Sequence, residues 1–114
     1  MSARQLIIKL LDKLHQTNAY ADLLLENEFK KNEFSDPDKA LIQEIFFGVI
    51  RWRNHLNWII TAFYQGNFDK SPPVIKYVLQ SSIYQLHLMD RIPDYAAINE
   101  AVELAKLKNP GTNY

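Results

Sequence analysis

Cysteine is absent from this chain, and that one absence removes disulfides, thiolate zinc sites and cysteine nucleophiles together. Glycine is scarce. Gly48, Gly66 and Gly111 stand far apart, so no glycine-rich loop exists to cradle a phosphate or a dinucleotide. Neither sign of charge is in excess, because 13 Lys plus Arg balance 13 Asp plus Glu. A dedicated nucleic-acid binder carries a basic surplus, so any RNA affinity has to come from a local patch. No apolar run approaches the roughly 18 residues of a membrane span. The amino terminus, MSARQLIIKLLDKLHQ, lacks the basic start, unbroken apolar run and small-residue cleavage site of a signal peptide. The cytoplasm is the default compartment and no membrane partner is expected. His15, His55 and His87 stand alone, without a partner at ligand spacing, and no metal site is expected. No segment alternates apolar and polar residues with period two, which argues against strands.

What remains is helix. The chain is 47% hydrophobic over 114 residues, enough for the core of one domain. Ser2 and Gln5 have the spacing of a capping box, and Ile7, Leu10, Leu11 and Leu14 continue as one stripe, which predicts a helix over 3–16. Tyr20, Leu23, Leu24 and Phe29 mark a shorter second helix that ends in a polar run at 30–33. Ser35-Asp36-Pro37-Asp38 is a helix start, with proline in the first turn and acids at the positive end of the dipole. From there Leu41, Ile45, Val49, Trp52, Leu56, Ile59 and Phe63 recur every three or four residues, as in one long helix or two with a bend. Gly48 marks a close helix contact or a kink, and Gly66 the C-cap. Ser71 is the expected cap of a helix lined by Ile75, Val78, Leu79, Ser82, Ile83 and Leu86. A turn at Pro93, a cap at Asp94 and a stripe of Ile98, Ala101, Val102 and Ala105 predict one more helix. Trp52, Trp58, Phe46, Phe63 and Tyr84 fall at helical spacing and read as core aromatics.

The charged residues divide by face. Lys9 and Lys13 lie one turn apart on the first helix, with Arg4 at its start. Such a row can track phosphates, or simply be the wet face of an amphipathic helix. Arg51 follows Glu44 by two turns on the same face and reads as a structural arginine, paired with Glu44, Glu100 or Glu103. Arg53 lies on another face with Asn57, and is the better candidate for RNA against simple solvation. Glu100 and Glu103, one turn apart, fit helix-surface or interhelical ion pairs.

Two strings carry more than periodicity: Phe47-Gly48-Val49-Ile50-Arg51-Trp52-Arg53 after Glu44, and Tyr84-Gln85-Leu86, Ile92-Pro93-Asp94, Ala96 to Lys106. Together they resemble the NusB-like amino-terminal domain of the bacterial ribosomal-RNA cytosine-C5 methyltransferases (the RsmB, or Sun, family). The resemblance implies an all-α bundle of two small subbundles about a long central helix. It implies a non-catalytic RNA-binding domain over 1–107 that positions substrate. Residues 108–114 would begin the continuation into a methyltransferase domain holding S-adenosylmethionine and the catalytic cysteines. The implied partners are small-subunit ribosomal RNA, rather than DNA, and that carboxy-terminal domain. In NusB proteins the first helix contributes to RNA binding, which favours Arg4, Lys9 and Lys13. The chain departs from the family at Gln80, where arginine is frequent, at Tyr95, where histidine is, and at Asn57, where aspartate is. Two other readings stay open: an antitermination factor that binds RNA and a ribosomal protein, and a protein-interaction domain with no RNA role.

Overall fold

The computed structural model describes residues 1–17 and 20–89. Four α-helices make up the described fold: α1 (Ala3–Gln16), α2 (Ala21–Lys31), α3 (Asp36–Phe63) and α4 (Pro73–Ile83). A 3-10 turn at Phe68–Lys70 precedes α4, and a π-helical segment, Tyr84–Met89, extends it. No strand occurs among the described residues.

The helix starts follow local chemistry. Ser2 Oγ accepts from the Gln5 N–H while Gln5 Oε1 accepts from the Ser2 N–H, so both arms of the capping box are made. Ser35 Oγ accepts from the Asp38 N–H, with Pro37 in the first turn. The start of α4 differs from expectation. Pro72 occupies its N-cap, and the Ser71 hydroxyl donates instead to the Phe68 carbonyl, closing the 3-10 turn. The proline ring already presets the entry dihedral, so a side-chain cap is dispensable. Helix α3 ends at Tyr64 rather than at Gly66, which adopts φ +105° in the following turn.

The core is built on α3. Ile42, Ile45, Phe46 and Val49 from its first half, and Leu56, Ile59 and Ile60 from its second, are buried against Leu6, Ile7, Leu10 and Leu11 of α1 and Ile75, Leu79 and Ile83 of α4. Twelve of the largest core side chains lie below 2% exposure, so single truncations there leave cavities costing about 2–5 kcal/mol. In α2 the buried positions are Leu25 and Glu28, while Tyr20 and Leu23 are exposed. The inward face is therefore offset from the predicted one, with Ala21, Leu24 and Phe29 packed at its margins.

The bend in α3 falls at Trp52, whose backbone leaves the helical region at φ −106°, ψ 17°. Gly48 makes the close contact instead. A methyl group there would sit 2.0 Å from Cζ of Tyr84, so only glycine lets that ring lie against the α3 backbone. Trp52 and Trp58, expected in the core, are 44% and 73% exposed. Past the bend the buried stripe is Leu56, Ile59 and Ile60, and Trp58 lies about 200° round the axis from Leu56. The expected stripe from Ile98 to Ala105, the Pro93 turn with Asp94 and Tyr95, and residues 108–114 lie outside the described residues.

Candidate nucleic-acid interface

The four basic candidates go to three different places. Arg4, in the first turn of α1, donates from Nη2 to Gln85 Oε1 at 2.9 Å and lines a shallow pocket of about 240 Å³ between α1 and α4. Lys9 and Lys13 both turn to α2. Their ammonium groups lie 3.2 and 2.6 Å from the two carboxylate oxygens of Glu28, whose side chain is 1% exposed. Asn32 Nδ2 donates to the same carboxylate at 3.3 Å. The hydrogen bond from Lys13 outweighs the burial that opposes it and, with Lys9, holds the Glu28 carboxyl below its ordinary value. The lysine row is therefore a clamp on a buried anion that joins α1 to α2. Sequence reading missed Glu28, although Leu25 and Phe29 beside it mark the inward face of α2.

Arg53 occupies the third place. With His15 from α1, Asn57 from α3, and Pro73, Lys76, Tyr77 and Gln80 from α4, it lines a pocket of about 180 Å³. The lining contains no carboxylate. Tyr77 and Gln80, one turn apart on α4, are 5% and 4% exposed and form its floor, while His15 and Pro73 lie exposed at its rim. Gln80 Nε2 donates to Asn57 Oδ1 at 2.8 Å, and Lys76 Nζ is anchored on the Asp69 carbonyl at 2.6 Å. The Tyr77 hydroxyl and Gln80 Oε1 are buried with no hydrogen-bond partner among the described residues. Burial, then the charge of Asp12, raises the Tyr77 phenol above its usual range, opposed by Arg53, so it remains a protonated donor at neutral pH.

The expected Glu44–Arg51 pair does not form. Glu44 instead accepts a 3.2 Å hydrogen bond from the Tyr84 hydroxyl, and Arg51 is exposed with no ion pair among the described residues. Seven residues of helix separate the two by about 10.5 Å of rise, and the Tyr84 ring enters over Gly48 between them. Burial and Glu44 both raise the Tyr84 phenol. Glu100 and Glu103 lie outside the described residues. No group of three His, Cys, Asp or Glu side chains able to hold a metal occurs among the described residues.

A family model, that of the NusB family, matches residues 1–113. The chain belongs to the NusB family. It is 37% identical over 107 residues to the probable ribosomal RNA small subunit methyltransferase B of Bacillus subtilis (strain 168), covering 94% of this chain and 24% of that protein. The protein of the same name from Synechocystis is 32% identical over 106 residues, again 24% of its length. The ribosomal RNA small subunit methyltransferase B of Escherichia coli O1:K1 is 38% identical over 81 residues, 70% of this chain and 19% of that protein. The chain thus spans about a quarter of the length of these relatives. No solved structure matches it. The all-α NusB bundle expected from the two sequence strings is the architecture found, with α3 as its central helix. No helix among the described residues is long and apolar enough to cross a membrane.

Proposed function

We propose that this chain is the RNA-binding, substrate-positioning domain of a small-subunit ribosomal-RNA cytosine-C5 methyltransferase, with no catalytic group of its own. The observation that carries this reading is the placing of Arg53, Lys76 and His15 around a pocket whose lining holds no carboxylate, on a chain similar to one quarter of such an enzyme. Arg53 and Lys76 hold phosphate oxygens at the pocket rim, with Arg4 as a second anchor at the far end of α1. Phosphate contacts of this kind set register on folded RNA without reading its sequence. The methyl donor and the attacking thiolate belong to the remainder of the parent enzyme, since this chain offers neither a cysteine nor a glycine-rich loop.

The test is a titration of the chain with fragments of small-subunit ribosomal RNA at several salt concentrations. Affinity that falls log-linearly with salt is the expected result, and substituting Arg53 lowers the slope by about one phosphate. Absence of binding at low salt overturns the reading.

A second reading has its own observation. Trp52, His55 and Trp58 form an exposed string along the bent half of α3, with ring centroids 6.2 and 6.3 Å apart, and His87 lies 5.7 Å from His55. Exposed tryptophan of this kind marks a protein-contact face, which suits docking of the rest of the parent enzyme. Loss of that association on Trp52→Ala/Trp58→Ala, with RNA titration unchanged, would assign the string to protein contact.

A further inference from the structure

Both tryptophans of the chain, Trp52 and Trp58, stand exposed on the bent half of α3. A large aromatic ring gains by burial, so two bare ones on a bundle of this size call for a partner. Their rings are already ordered. The Trp58 indole lies nearly parallel to the His55 imidazole, tilted by 17° with centroids 6.3 Å apart. Trp52 meets the same imidazole at 6.2 Å and 66°, and His87 from the π-helical segment packs on it at 5.7 Å. The string is thus one continuous surface of rings.

The charge around that surface decides what kind of partner fits. From Ile45 to Phe68 the sequence carries no Asp or Glu, while Arg51 and Arg53 flank Trp52. Neither arginine forms an ion pair among the described residues. Arg51, His55 and Trp58 follow at i, i+4 and i+7, the spacing of one helix face. The balanced total charge of the chain conceals this stretch without acids. At a protein contact each arginine needs a carboxylate that the partner must place opposite it. Every nucleotide of an RNA strand brings both a phosphate and a base face, which matches cations set among bare rings.

We propose that the Trp52–His55–Trp58 face is a stacking platform for an unpaired stretch of bound RNA, its bases on the rings and its phosphates on Arg51 and Arg53. Arg53 also borders the pocket with Lys76, so the platform continues the phosphate anchor along α3. In a duplex the base faces are covered by their neighbours, and the platform therefore selects unpaired RNA. Every base has a π-face, so it does this without reading sequence.

The platform rests on the RNA-binding reading, and the experiment separates the two. Three end-labelled RNAs are titrated by anisotropy: a single strand of mixed sequence, the same backbone with abasic residues, and the duplex of that sequence. The single strand is expected to bind about 5-fold tighter or more than either other. Since both tryptophans lie in the string, intrinsic tryptophan fluorescence reports on it alone, and at saturation the base-bearing single strand quenches it while the abasic strand does not. Trp52→Ala/Trp58→Ala, checked for an intact thermal transition, is expected to remove the preference. Stacking releases no counterions, so this variant shifts the line of log affinity against log salt downward at unchanged slope. Equal quenching by the base-bearing and abasic strands, or none by either, would overturn the platform on the parent protein and leave the phosphate anchor standing. A double variant that binds all three RNAs as the parent does would also overturn it, and would give the string to protein contact. Failure of all three RNAs to bind at low salt would overturn both readings.

Discussion

The two basic corners of this bundle have similar charges and opposite situations. At the α1–α2 corner, Lys9 and Lys13 surround a buried carboxylate that receives both ammonium groups and an asparagine amide. At the α3–α4 corner, Arg53 and Lys76 border a pocket whose lining holds no carboxylate, and the buried Tyr77 hydroxyl and Gln80 oxygen have no hydrogen-bond partner among the described residues. The first corner is electrostatically complete and holds two helices together. The second has no carboxylate in its lining to pair with its cations. Counting positive residues treats the corners alike, whereas pairing separates a structural site from a proposed binding site.

The comparison breaks first, if it breaks at all, at the clamp. Replacing both lysines by alanine orphans the Glu28 carboxylate. A buried charge stripped of its partners costs 3–5 kcal/mol, and because both lysines keep over a third of their side chains in water the low end applies. Urea unfolding should therefore show a loss of about 3 kcal/mol, with RNA affinity of the folded fraction changed less than about 2-fold. A large loss of affinity with little loss of stability would return the lysine row to the RNA.

Gly48→Ala tests the other ion-pair expectation. The new methyl displaces Tyr84 and its bond to Glu44, and overpacking of this sort costs about 1–3 kcal/mol, less the helix-propensity gain of up to ~1. Adding Tyr84→Ala to Gly48→Ala should cost less than the two single changes together, measured as a double-mutant cycle. Arg53→Ala should leave stability within about 0.5 kcal/mol and weaken RNA binding about 10-fold or more, the worth of a charge-assisted contact of about 1.5 kcal/mol upward.

Acid sharpens the contrast further. The folded Glu28 carboxyl lies below its ordinary value, so its contribution is full above that ordinary value and is lost as pH falls through the lowered one. In Lys9→Ala/Lys13→Ala burial is opposed only by the Asn32 hydrogen bond and outweighs it. The folded carboxyl then lies above its unfolded value, and the sign reverses, so that the variant gains stability on acidification. Parallel acid titrations of the two proteins by circular dichroism check this. The smallest effect belongs to Trp58→Ala, expected within about 0.5 kcal/mol of the parent because the side chain is 73% exposed.

The helices were legible in the chain itself. Ser2 with Gln5, Ser35 with Pro37, and the three-and-four spacing of the apolar residues set α1 and the start of α3 as found, because capping and periodicity act within a turn or two of helix. The family was legible too, from the strings around Arg51 and after Tyr84. Arg53 with Asn57 was readable as a separate face of α3. The partners of the charges were not. Glu28 lies 19 and 15 residues from Lys9 and Lys13 in sequence, and Arg53, Tyr77 and Gln80 come from two helices. Periodicity tells which side of a helix faces inward, and packing decides which neighbour it meets there. The bend at Trp52 and the Tyr84 ring against Gly48 are decisions of that second kind. They placed two tryptophans in water and kept Glu44 from Arg51, since each depends on how a distant helix lies across α3.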